Sequence, residues 1–116
     1  AQGGDSSERE VSLHSGRAIA SALRKLGVEV EVQDLTDLLL RRGSVQSLIG
    51  SNRPDVVFLA VHGTNQEDGA VQGLLELLHI PYTGSGIQAS ALAMDKEMTK
   101  NVLAREGITV PKGVVV

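Results

Sequence analysis

Val11, Ile19, Ala22, Leu23 and Leu26 recur at the spacing of one helix face, and Gly27 follows at the position where such a helix stops. Ser7 and Glu10 have the capping-box spacing, so the helix is expected to open there. The pattern then changes period. Val28, Val30 and Val32 alternate with Glu29, Glu31 and Gln33, which predicts a strand with one wet face. Residues 35–40 and 45–49 are short amphipathic stretches around Gly43, expected to be helical. Val56 to Val61 is apolar throughout and reads as a central parallel strand covered on both faces. A polar loop, 62–69, follows it. Helical spacing returns over 71–78, and Ile80 to Thr83 is a short strand whose Pro81 suits an edge. Gly84-Ser85-Gly86 is a flexible turn. Residues 87–94 form a small-residue helix, and 96–106 another, stopped by Gly107.

Helices alternating with strands imply a parallel sheet with right-handed crossovers, an open α/β fold with helices flanking the sheet. Ligands of such sheets sit beyond the C-terminal strand ends. Three loops fall there: 3–7, 62–69 and 84–86. The first of them, Gly3-Gly4-Asp5-Ser6-Ser7, is a glycine turn running into a helix, with no strand before it in the sequence. A first strand is therefore expected to be missing, and the chain is expected to be part of a longer protein. Backbone N–H groups at such a turn can hold an anion.

Composition narrows the chemistry. The 116 residues suit one domain, able to bury roughly two thirds of its unfolded surface. Without cysteine there is no disulfide and no thiolate catalysis. A net charge of −3 gives no broad basic face, and one Tyr and one Phe leave almost nothing to stack on bases, so nucleic acid is not an expected partner. No apolar run approaches the ~20 residues of a membrane helix, and no signal peptide opens the chain. The cytoplasm is the expected location.

Few residues are placed to do chemistry. Glu8 either stabilises the helix start by its charge or points at a ligand ammonium. His62 ends the apolar run ahead of Gly63, either as a structural residue or as a functional one. Glu67 and Asp68 read as loop solvation rather than as a metal pair. Lys96 follows Asp95, a good N-cap. A cation at a helix start opposes the dipole, so Lys96 is either a surface lysine or a residue kept for a ligand. Neither a dinucleotide fingerprint nor a Walker loop is present.

Taken together, GGDSSEREVSLHSG, VHG with EDG after it, VQGLLELLHIPYTGSG and ASALAMDK resemble the N-terminal domain of D-alanine–D-alanine ligases, in that family's order and spacing, from Gly3 to Pro111. The resemblance implies a Rossmann-like pre-ATP-grasp domain over 1–111, with 112–116 starting the connection to ATP-grasp domains that the sequence does not contain. It implies an ATP-dependent ligase of the bacterial cytoplasm, commonly a homodimer, that makes D-alanyl-D-alanine for peptidoglycan and so for cell shape. ATP phosphorylates the first D-alanine, the amine of the second attacks the acyl phosphate, and magnesium bridges the ATP phosphates. By resemblance, Glu8 binds the ammonium of the first D-alanine, Val11 lines that subsite, His62 positions the substrate, and Lys96 approaches the ATP phosphates. Glu8 and His62 are thereby the catalytic candidates, and Gly84 to Gly86 shape the nearby turn. Gln66 departs from the glycine usual before Glu-Asp-Gly. Ligation by these 116 residues alone is not expected. D-alanine–D-lactate and D-alanine–D-serine ligases fit the same residues, as does a binding module without catalysis.

Overall fold

The chain is seen in a computed structural model that describes residues 1–40, 46–51, 53–63 and 66–113. Gly43, Val45, Thr64, Asn65 and the terminal valines 114–116, on which expectations were placed, lie outside the described residues.

Among the described residues the helices are α1 (Arg9–Lys25), α2 (Leu35–Leu40), α3 (Gln46–Ile49), α4 (Ala70–Leu77), α5 (Ile87–Met94) and α6 (Lys96–Arg105). Three of them end in the same way. After α1, Gly27 takes φ +80°, its N–H donates to the Arg24 carbonyl, and the Val28 N–H reaches back to Leu23. Gly107 does the same after α6, with Ile108 returning to Leu103. This is the Schellman pairing, which satisfies carbonyls that a helix end leaves open. After α4 the left-handed position is filled by His79 at φ 54°, and Ile80 donates to Leu75. Both Ile80 and Leu75 are almost fully buried, so their packing holds a histidine where glycine is usual.

The start of α1 differs from the expected capping box. Glu8 occupies the N-cap position without a side-chain cap, and it is Ser6 Oγ that accepts the Glu8 N–H at 3.2 Å. At α6 the expectation holds: the Asp95 side chain accepts the Met98 N–H at 2.8 Å.

The segments expected to be strands lie side by side but do not extend into strands among the described residues. Their pairing consists of two isolated parallel bridges, Gln2 with Asp34 and Val57 with Tyr82. Ala1 joins the two pairs: its amino group donates to Phe58 O, and its carbonyl accepts from Ala60. The rows therefore run in the order 33–35, 1–2, 57–60, 81–83. Val56 and Phe58, expected to be covered, are exposed, and a groove of about 720 Å³ runs past them and Val28, Val30, Ile19 and Leu23.

The core gathers Leu35, Leu38, Leu48, Val61, Val71, Leu75 and Ile80. It joins α2, α3 and α4 to the end of the apolar run. The α5 helix packs on α4, whereas α6 packs on α5 alone and buries no residue. This outlying pair fits the elongated shape of 48 × 29 × 25 Å.

Two glycine replacements should act in opposite directions. Gly27→Ala meets open space but keeps φ +80°, so it should destabilise the fold by about 1 kcal/mol. Gly73→Ala, inside α4 with only Ile87 Cδ1 at 3.7 Å, should stabilise it by about 0.5–1 kcal/mol. Thermal unfolding of both variants checks the pair. Equal shifts of the same sign would refute this account of the helix ends.

Candidate functional site

The glycine turn and the end of the apolar run meet at the N-terminus of α1. The fixing residue is Ser12, fully buried on the first turns of that helix. Its hydroxyl accepts from the Gly3 N–H at 2.7 Å and donates to the Ala60 carbonyl. A second serine repeats the link nearer the surface, with Ser6 Oγ donating to the His62 carbonyl at 2.6 Å. An arginine holds the other side. Arg9 pairs with Asp34 through both nitrogens, at 2.6 and 3.1 Å, and donates to the Gly4 carbonyl at 2.8 Å. Bidentate geometry of this kind fixes direction as well as distance.

Into this frame fall three of the four residues singled out from the sequence. The Glu8 carboxylate is exposed and has no hydrogen-bond partner among the described residues. Its Oε1 stands 3.9 Å from where a Cβ of Gly63 would be, so it faces the His62–Gly63 end of the apolar run. Val11 lies one helical turn on from Glu8, on the same face, and is 57% exposed. The His62 ring is half-buried, with Nδ1 3.4 Å from Glu67 Oε1. The other oxygen of Glu67 accepts the Gly63 N–H at 2.7 Å. Glu67 thus closes the loop around Gly63, whose φ of +91° is left-handed. Close packing against Ser6 adds a reason for glycine there.

Lys96 is not brought to this cluster. It is exposed at the start of α6, which among the described helices packs on α5 and makes no contact with α1. No group of three His, Asp or Glu residues among the described residues could hold a metal ion. Asp68 caps the start of α4 by accepting the Ala70 N–H.

The expectation that the turn offers its N–H groups to an anion is corrected for five of them. Gly3 donates to Ser12, Glu8 to Ser6 and Arg9 to the Ser6 carbonyl. The Asp5 and Ser6 N–H groups meet the buried side chain of Gln66. Sequence reasoning missed Ser12, Arg9, Asp34 and Gln66 as parts of the site. Of these only Gln66 carried a signal, as a departure from the usual glycine. What the arrangement offers a ligand is a free carboxylate, an apolar side chain and a half-buried imidazole, a combination suited to a small molecule with a cationic end.

Comparison with known proteins bears on this site. The family profile described as D-ala D-ala ligase N-terminus matches residues 41–85. A D-alanine–D-alanine ligase from Moorella thermoacetica is 54% identical over 110 residues, 95% of this chain and 34% of that protein. Another, from Caulobacter vibrioides, is 52% identical over 96% of this chain and 32% of its own length. The solved D-alanine–D-alanine ligase of Bacillus anthracis superposes with a TM-score of 0.78 at 37% identity, over 96% of this chain and 35% of that one. A second structure of it, complexed with ATP, aligns equally well. The chain spans about a third of the length of the curated relatives it matches.

The Arg9–Asp34 pair makes the frame sensitive to acid. Hydrogen bonding from Arg9 holds the Asp34 carboxyl below its ordinary range against partial desolvation, with the Thr36 and Gly4 N–H groups adding to the effect. A carboxyl lowered on folding adds stability above its unfolded pKa, near 4. That contribution is lost as pH falls through the folded value. Urea unfolding at pH 6 and pH 3 should show the loss, and Asp34→Asn should show less of it. An Asp34→Asn variant with the same pH dependence as the parent would remove the pair from this role.

Proposed function

Because the chain belongs to the D-alanine–D-alanine ligase family, of whose curated members it spans about a third, we propose that it forms the first-substrate wall of such a ligase. The carrying observation is the Glu8 carboxylate, which has no hydrogen-bond partner among the described residues and faces the His62–Gly63 end of the apolar run. The adjacent cation in the sequence, Arg9, is engaged with Asp34. An ammonium group of a D-amino acid is the complement of that carboxylate, and Val11 offers a surface for a methyl side chain. His62, steadied by Glu67, borders the same space.

In this reading residues 1–111 are one domain, 112–116 begin its connection onward, and the parallel rows belong to an open α/β sheet. The 0.78 superposition on a ligase at 37% identity supports that fold. ATP supplies activation of the first D-alanine carboxylate when bound, and Lys96 is the residue this chain would bring to its phosphates. For Lys96 to serve the same reaction, α6 and the Glu8 wall must be bridged by substrate or by parts of the protein beyond this chain. Magnesium finds no ligand set among the described residues, so no step is assigned to it here. The same reading gives a cytoplasmic homodimer acting in peptidoglycan synthesis.

The test is a chimera in which this chain replaces the corresponding third of the Moorella thermoacetica relative. D-alanine-dependent phosphate release from ATP is expected. In that protein Glu8→Gln should raise KM for the first D-alanine about tenfold or more, since a charge-assisted contact is worth roughly 1.5–3 kcal/mol. Lys96→Ala should raise KM for ATP more than KM for D-alanine. An active chimera with unchanged KM and kcat in Glu8→Gln would sink the assignment of Glu8. An effect of Lys96→Ala confined to D-alanine would move Lys96 to another task.

A further inference from the structure

Gln66 sits in a polar loop, yet only 1% of its surface is exposed. Four backbone groups surround its amide, three from the glycine turn and one from the His62 end of the apolar run. Oriented to suit them, its nitrogen donates to the Gly3 carbonyl at 2.9 Å and to the His62 carbonyl at 3.2 Å. Its oxygen accepts from the Asp5 N–H at 3.1 Å and the Ser6 N–H at 3.2 Å. A primary amide has two donors and room for two acceptor contacts, so the side chain is saturated. The fit is close, because a Cβ at Gly4 would collide with the amide itself.

Position gives this fit its meaning. Asp5 and Ser6 lie where a glycine turn enters a helix, and N–H groups there ordinarily attract anions. In this chain both are consumed by a neutral side chain from the loop beyond His62. Nearby, the N–H groups of Gly3, Glu8 and Arg9 are taken by Ser12 and Ser6. Removing Gln66 would leave two donors unpaired beside Glu8 without disturbing the Ser12 or Arg9 links.

We propose that Gln66 is a positioning residue that closes the Asp5–Ser6 part of the glycine turn to anions and ties the turn to the His62 end of the apolar run. Glu8 then meets the cationic end of a ligand, and the anionic end must be met by groups other than these two amides. The statement about the cationic end rests on the proposed function, whereas the closure of the turn stands without it.

Amide exchange and a phosphate titration, followed by NMR on the ¹⁵N-labelled chain, test the closure. In the parent the Asp5 and Ser6 amides should be protected, and millimolar inorganic phosphate should leave their resonances in place. In Gln66→Gly both amides should exchange at least about tenfold faster, and phosphate should shift them. A lesion that was merely structural would not create phosphate binding at these two amides. Parent amides that exchange as freely as an open loop, or that phosphate shifts, would overturn the proposal without any variant. So would Gln66→Gly amides as protected as the parent's. Failure of D-alanine to bind would bear on Glu8 and leave this result unaltered.

Discussion

One joint carries the rest of the structure: the attachment of the glycine turn to the end of the apolar run. Ser12 makes it at depth, where its hydroxyl serves Gly3 and Ala60 at once and no water can replace it. Ser6 and Gln66 repeat it outward. Polar groups buried in this way are costly when unpaired and directional when paired, so they set one relative position for the two loops. Everything that faces a ligand follows from that position. Glu8 looks toward Gly63 because the turn is held against His62, and Val11 follows Glu8 on the same helical face.

How much of this was legible in the sequence depends on how local the cause is. The ends of α1 and α6 were readable because a left-handed residue after a helix is a local demand that glycine meets. The end of α4 was not, because His79 is held there by the burial of Ile80 against Leu75, which is a tertiary effect. Apolar periodicity located α2, α5 and α6 closely. It could not tell that Val56 and Phe58 would be exposed, since their cover depends on the neighbouring row. The capping box at α1 was read from Ser7, whereas Glu8 is the N-cap without a side-chain cap and Ser6 Oγ takes the Glu8 N–H, a distinction only geometry makes.

The candidate site shows the same division. That loops 3–7 and 62–69 would converge follows from parallel topology, and it brings Glu8 and His62 together in the structure, with Val11, named by resemblance, beside Glu8. Lys96 was grouped with them by resemblance, yet α6 stands on the outlying arm beyond α5. Gln66 was marked in the sequence only as a departure from the usual glycine. Its burial arises only when two loops close on it, and no pattern within either loop announces that. The same contact reverses the first reading at Asp5 and Ser6, whose N–H groups it takes, and leaves the Glu8 carboxylate facing Gly63.

That reversal makes the ammonium of the substrate the quantity to locate. The most direct measurement is a crystal structure of D-alanine bound to this chain joined to the remaining two thirds of the Moorella thermoacetica relative. The account predicts the D-alanine ammonium within about 3 Å of the Glu8 carboxylate, with its methyl group against Val11. An ammonium held by other groups, with Glu8 left in solvent, would contradict it.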